Sequence, residues 1–205
     1  MRAIRTTVIA SATVLMGLPI STGAAQVRVT TSTGDVSIYT EKNLVDRLIV
    51  VDSVELEMAE LAAKRTQNTA VRDYANMVIS DHRGHLESLR KIASEDDVGR
   101  QASASDTAGA VAIRSLTSLA QMSADSGFDK AFIREQIRLH NQEIIALKMF
   151  GGAAKDDDLK DEVKRTMPVL ERHLARAREV AAQIGVPIDS AGTTPQPTTT
   201  SKPPR

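Results

Sequence analysis

The chain has 205 residues, with 26 basic and 26 acidic side chains and no cysteine, so its formal net charge is zero and disulfides cannot stabilise it. It has no basic excess, no Trp, two Tyr and three Phe. Nucleic acid is therefore not an expected partner, because both phosphate attraction and base stacking lack the residues they need.

The first 25 residues have the pattern of a secretory signal peptide. Arg2 and Arg5 precede an apolar stretch at residues 8–20, and small residues follow up to Ala25. The apolar stretch is shorter than the roughly 20 residues that a membrane-spanning helix requires. We therefore expect cleavage near Ala25, export to the periplasm or to the medium, and no transmembrane segment in the mature chain.

Residues 26–40 are expected to form an extended leader that lies on a helical domain. Four apolar residues flank a Ser-Thr-Gly-Asp turn signal in alternation with polar ones: Val27, Val29, Val36 and Ile38. This pattern would also suit a short hairpin. An isolated two-stranded hairpin is only marginally stable in water, so the extended leader is the preferred interpretation.

Four long helices follow, because apolar residues recur every three or four positions. They are predicted at 41–66, 69–94, 127–152 and 156–184, with a short extra helix at 108–120 in the long second connection. The first and third connections are so short that the helices they join must be antiparallel neighbours. The sequence thus predicts an all-α domain over residues 41–186, built as one antiparallel four-helix bundle.

The last segment, residues 187–205, is rich in Thr and Pro and contains few apolar residues. Such a composition cannot bury a core, so this tail is expected to be disordered. A stalk is conceivable in an exported protein, but a solvated tail is the simpler interpretation.

A polar layer is predicted where the four helices face one another. The inward positions of each helix, taken at spacings of three and four, are apolar except near the middle. Every helix has a polar residue near its middle on this face: Glu55, His82, His140 and His173. Antiparallel helices of similar length bring their midpoints together, so these side chains should converge. His85 lies one turn after His82 and is a fifth candidate.

Two interpretations of this layer remain open. Imidazole and carboxylate groups suit divalent transition metals, so the first is a metal site, with zinc or copper favoured over a di-iron pair. Asp81, next to His82, is then a candidate acceptor that orients a ligand ring. In the second, the histidines form a buried hydrogen-bonded network in a non-catalytic structural or stress-related envelope protein. Clustered histidines would also repel one another when protonated, which would make the bundle sensitive to pH.

Several strings of residues resemble the bacterial exported family catalogued as domain of unknown function 4142. They are Met77–His82 (MVISDH), Phe128–Ile133 (FDKAFI) leading to His140, Thr166–Leu174 (TMPVLERHL) and the first-helix run Glu55–Ala62. The similarity covers about residues 42–184. The resemblance implies a ferritin-like bundle and no established biochemical activity.

The chain departs from the pattern of this family at two places. Asp52 and Ser53 stand where the family commonly has a glycine pair, and Leu139 stands where it has an acidic residue. His85 also lies outside the pattern. A ferritin-like fold invites comparison with di-iron oxidases, which take Glu-x-x-His from two of their helices. The chain contains no Glu-x-x-His and no other catalytic motif, so the sequence does not favour an enzyme.

Overall fold

The computed structural model describes residues 27–30, 36–39, 41–95, 108–150 and 154–188. It contains five helices: α1 (Glu41–Arg65), α2 (Thr69–Glu95), α3 (Ala108–Gln121), α4 (Ser126–Phe150) and α5 (Asp157–Ile184). The five predicted helices are confirmed, each end lying within two residues of its expected position. The predicted signal peptide and residues 189–205 of the predicted tail lie outside the described residues.

A short hairpin precedes the helices. Strand β1 (Val27–Thr30) pairs antiparallel with β2 (Val36–Tyr39), with Val27 opposite Tyr39 and Thr30 opposite Val36. The preference for an unpaired leader was therefore wrong for these residues. β2 ends two residues before α1 begins, and the two elements are in contact.

Caps define the ends of the two helices that carry three of the four histidines. Asn68 Oδ1 accepts a hydrogen bond from the Val71 amide at 3.2 Å where α2 begins. Asp156 Oδ1 accepts one from the Leu159 amide at 2.7 Å where α5 begins. Gly185 ends α5 in the left-handed conformation, with φ of 70°, which costs glycine little.

The helices pack through a continuous apolar core. α1 packs along α2, α4 packs along α5, and contacts of α2 with α5 and of α1 with α4 join the two pairs. α3 lies against α1 and also contacts α4. Large buried side chains such as Leu48 and Met58 lie on either side of the polar residues in the middle of α1. Across the described residues, no helix combines the length and apolar character needed to cross a membrane.

Candidate metal centre

Three histidines from three helices meet in the core. His82 of α2, His140 of α4 and His173 of α5 are at most 2% exposed, and their ring centres lie 5.2 to 5.7 Å apart. One nitrogen from each ring lies within 4.8 Å of the other two. The structure thus brings together four of the five residues that the sequence singled out, because Glu55 also lies 3.2 Å from His140 and 3.7 Å from His82. The three histidines are called the three-histidine cluster below.

Hydrogen-bond partners behind two of the rings determine which nitrogen carries the proton. His173 Nε2 lies 2.8 Å from Asp81 Oδ2, a carboxylate oxygen that can only accept, so Nε2 donates. His140 Nδ1 lies 2.9 Å from the carbonyl oxygen of Gln136 and 3.2 Å from Glu55 Oε1, so it also donates. In neutral rings, His140 Nε2 and His173 Nδ1 are then unprotonated.

These two unprotonated nitrogens face each other at 3.1 Å. Two lone pairs at this distance repel, so the arrangement calls for a positive charge between them. A shared proton would supply it, and so would a metal ion. A tetrahedral zinc ion with bonds of about 2.0–2.1 Å holds its ligand nitrogens about 3.3 Å apart. The observed separation is close to that value.

His82 pairs with the acidic residues of α1. Its Nδ1 lies 2.8 Å from Asp52 Oδ1 and 3.7 Å from Glu55 Oε2. Burial would lower the pKa of His82, but these carboxylates raise it to about 9. Burial would likewise raise the pKa of Asp52, but His82 lowers it to about 2. With a pKa of about 9 the metal-free ring of His82 carries a proton on both nitrogens near pH 7, so a metal ion that binds the buried Nε2 must displace the proton there.

The protonated form of His173 is disfavoured. Burial lowers the pKa of His173 to about 4, and the neighbouring rings of His140 and His82 act in the same direction. The hydrogen bond to Asp81 opposes this effect only in part. A neutral His173 ring keeps the lone pair on Nδ1, which is the form that binds a metal ion.

A group of buried carboxylates adjoins the histidines. Asp52, Glu55 and Glu143 are at most 2% exposed, and Asp52, Glu55 and His82 form a second set whose potential ligand atoms lie within 4.8 Å of one another. Burial and the nearby charges of Glu55 and Asp52 raise the pKa of Glu143 well above its usual range. Sequence reasoning missed Asp52 and Glu143. Each lies three residues from a predicted ligand on its own helix, a spacing that could have identified it.

Asp81 lies beside His82 in the sequence but contacts α5. Adjacent positions of a helix point apart, and Asp81 Oδ2 accepts hydrogen bonds from His173 Nε2 at 2.8 Å and from Arg172 Nη2 at 2.7 Å. Burial would raise the pKa of Asp81, but these two hydrogen bonds lower it. Asp81 therefore remains ionised and orients the ring of His173.

His85 stands apart from the three-histidine cluster. Its Nδ1 lies 3.1 Å from Asp52 Oδ1, and its Nε2 lies 3.5 Å from Glu162 Oε1. Asp52 Oδ1 therefore contacts both histidines of α2. His85 is 11% exposed, and it borders a cavity rather than the other rings.

The chain was compared with known proteins. It matches the family described as Domain of unknown function (DUF4142) over residues 25–180. No significant match was found among curated proteins or among solved structures. The matched segment contains α1 to α4, most of α5 and every residue of the site. The chain therefore belongs to the DUF4142 family, whose description assigns no activity.

Proposed function

We propose that this protein binds one divalent transition metal ion through His82, His140 and His173. The observation that carries the proposal is the 3.1 Å approach of His140 Nε2 to His173 Nδ1, because the outer partners place the protons of both rings on the opposite nitrogens. His82 supplies the third nitrogen. Zinc or copper suits such a set of imidazoles better than a di-iron pair, which is held mainly by carboxylates.

Each of the three rings has an oxygen atom beside its outer nitrogen. Asp81 and the carbonyl oxygen of Gln136 accept hydrogen bonds from His173 and His140, and Asp52 forms an ion pair with His82. Such acceptors orient metal-binding histidines and make them more basic. Three protein ligands also leave a position on a tetrahedral ion open to water or to another small ligand. With this open coordination position, the centre is suited to exchange its ion or to bind a small molecule to the ion.

We propose that the four long helices form an antiparallel, ferritin-like bundle around this centre. Side-chain pairs between neighbouring helices support it, because residue numbers fall on one helix as they rise on the other. Between α1 and α2, Asp52 pairs with His85 and Glu55 with His82. Between α2 and α5, Ser88 pairs with Glu162 and Asp81 with His173. Between α4 and α5, Asn141 pairs with Arg178 and Lys148 with Glu171. Every neighbouring pair that they connect is antiparallel in this arrangement.

We also propose that the centre operates outside the cytoplasm, in the periplasm or in the secreted protein. The support comes from the sequence, in which Arg2 and Arg5 precede an apolar stretch and small residues end at Ala25. Sequencing the N-terminus of the protein isolated from its native host tests this. We expect the mature chain to begin near Gln26, and an N-terminus at Met1 would contradict export by cleavage.

Metal content and thermal stability test the metal centre. Untagged protein is treated with a chelator, offered Zn²⁺, Cu²⁺ or Co²⁺ separately, and dialysed. We expect one ion per chain and a higher melting temperature, because an ion that binds only the folded state stabilises it. Bound Co²⁺ should also show the visible absorption of a tetrahedral site. Protein that retains none of the three ions and melts unchanged would contradict the proposal.

A second candidate function is favoured by the ion pair of His82 and Asp52. In a structural envelope protein without metal, a proton between His140 and His173 and the charge on His82 would complete a buried hydrogen-bonded network. This network would hold the helices in register. The two functions differ in one measurement, because the network predicts a melting temperature that does not respond to metal ions.

A further inference from the structure

A cavity of about 340 Å³ lies between α2 and α5, beside the proposed metal centre. Its walls include the exposed residues Gly84 and Arg165 and the buried ring of His82. The cavity therefore connects the protein surface with one of the three proposed ligands. A second cavity, lined mainly by α3 and α4, is bordered by none of the residues of the centre.

His85 and Glu162 both line the first cavity, one from each of its helices. His85 Nδ1 lies 3.1 Å from Asp52 Oδ1, which can only accept, so Nδ1 carries the proton of the neutral ring. The lone pair of Nε2 is then 3.5 Å from Glu162 Oε1. Nε2 is buried and lacks a hydrogen-bond partner within the described part of the chain. A lone pair and a carboxylate oxygen that face each other at this distance favour a cation between them.

Glu162 is held in this position from its other side. Its Oε2 accepts hydrogen bonds from Ser88 Oγ and from Arg165 Nη2. Thr166 Oγ1 lies 3.2 Å from Oε1 and steadies the oxygen that faces His85. These contacts keep the carboxylate fixed, which an ion-binding group requires.

We propose that this cavity is the entrance to the metal centre, and that His85 and Glu162 form an outer site that holds a divalent ion before it moves inward. Asp52 connects the two sites, because its Oδ1 lies 3.1 Å from His85 Nδ1 and 2.8 Å from His82 Nδ1. With two protein ligands, the outer site binds the ion more weakly than the three-histidine cluster, so the ion proceeds inward. This inference rests on the metal centre proposed above.

Gly84 offers a way to close the cavity without changing a ligand. A Cβ atom at this position meets no atom within 4 Å, so a side chain can be attached there without a clash at Cβ. We expect Gly84→Leu to take up Co²⁺, and to release it to a chelator, about tenfold or more slowly, because each passage must wait for a local opening of the helices. The dissociation constant should stay the same, since both rates fall together.

Glu162→Gln tests the outer site, because it keeps the shape of the side chain and removes its charge. Uptake of Co²⁺ should slow about tenfold, while one ion per chain still binds at equilibrium. Two variants serve as matched controls and should load at the wild-type rate. Ser118→Leu places the same side chain beside the second cavity, and Glu171→Gln removes an exposed carboxylate of α5 that pairs with Lys148.

Rapid mixing of metal-free protein with Co²⁺, followed by visible absorption, measures these rates. Uptake and release by Gly84→Leu at the wild-type rates would rule out this entrance and leave the centre intact. Loss of the ion at equilibrium in Glu162→Gln would make Glu162 a ligand of the centre and would overturn the outer site. If wild-type protein takes up no Co²⁺, the proposed metal centre is contradicted, and the proposed entrance is contradicted with it.

Discussion

His82 Nδ1 lies 2.8 Å from Asp52 Oδ1, and neither side chain is more than 2% exposed. The carboxylate orients the ring and keeps a proton on Nδ1, so a metal ion has to displace only the proton on Nε2. Asp52→Asn retains an acceptor oxygen and removes its charge. We expect the affinity for Zn²⁺ to fall about 10–100-fold. The metal-free protein should lose up to about 3–5 kcal/mol of stability, because one partner of a buried ion pair is gone.

Glu60→Gln is a matched control for Asp52→Asn. Glu60 also joins α1 to α2, through Arg83 at 2.7 Å, but this ion pair lies on the surface. An exposed pair contributes little, so zinc affinity should be unchanged and stability should stay within about 1 kcal/mol of wild type. Competition with a metal indicator and unfolding in urea measure the two quantities. Wild-type zinc affinity in Asp52→Asn would show that Asp52 does not orient a ligand.

The two possible ligand sets can be separated by substitution. His140 and His173 belong only to the three-histidine set, whereas Asp52 and Glu55 belong only to the other. If the ion lies among the histidines, His140→Ala and His173→Ala should each weaken binding by more than the 10–100-fold expected of an outer partner. His85→Ala should still bind one ion per chain at equilibrium. Elemental analysis after dialysis measures the metal content of each variant. A full equivalent of metal in both His140→Ala and His173→Ala would show that the ion binds at the carboxylates instead.

The helices could be predicted because the sequence carries both their buried faces and their ends. α5 is an example, since the expected span of 156–184 and the observed Asp157–Ile184 differ by one residue. Its first amides are capped by Asp156, and Gly185 adopts the left-handed conformation that ends it. Both signals are local and require no knowledge of the neighbouring helices.

The spacing of Asp52 from Glu55 marks it as a neighbour of the site, but its burial could not be predicted, because the burial of α1 depends on what surrounds the helix. Helical spacing selects Val51 and Glu55 as inward residues and places Asp52 at the edge of that stripe. In the fold, α1 contacts α2, α3 and α4, so more of its circumference is covered than one stripe. Val51 and Asp52 are consequently both buried. Asp52 is part of the site because of tertiary packing, and the spacing of residues along one helix gives no information about that packing.

His82 and His85 show the same limit within one helix. Three helical residues turn through about 300°, so the two rings diverge by about 60°. His82 reaches His140 and His173, while His85 reaches Glu162 and the cavity. The sequence places both rings near the inward face, but only the position of α5 decides which partner each one meets.

The contributions of His82 and His173 to the stability of the metal-free protein should together be largest near pH 6.5. Asp52 raises the pKa of His82 from 6.5 to about 9, so the stability that this pairing contributes is full below 6.5 and is lost as pH rises through 9. Burial lowers the pKa of His173 from 6.5 to about 4. As pH drops, His173 is therefore protonated in the unfolded chain before it is protonated in the folded protein, and stability falls between pH 6.5 and 4. Each pKa unit of difference between the folded and unfolded states changes the free energy of unfolding by at most about 1.4 kcal/mol.

Melting temperatures of the protein stripped of metal, measured between about pH 4.5 and 9.5, check this dependence on the pKa values. In His82→Gln the decline on the alkaline side should become shallower, because the raised pKa of Glu143 still contributes to it, whereas the acid-side contribution of His173 should remain. A wild-type profile that is flat over the whole range would show that neither ring is coupled to folding in the way the structure indicates.

Glu143 and Glu55 lie together in the core, and we expect them to differ in charge. Burial and the charge of Glu55 raise the pKa of Glu143 well above its usual range, which favours its neutral form. Burial would also raise the pKa of Glu55, but His140 lowers it.

Glu143→Gln therefore exchanges one neutral group for another of similar shape, and stability should change by less than about 1.5 kcal/mol. Glu55→Gln removes a charge that lies 3.2 Å from His140 Nδ1 and should cost up to about 3–5 kcal/mol. Unfolding in urea near pH 7 compares the two variants directly. Equal losses would mean that Glu143 is ionised in the folded protein, and three buried negative charges would then adjoin the histidines, which would strengthen the attraction of this centre for a divalent ion.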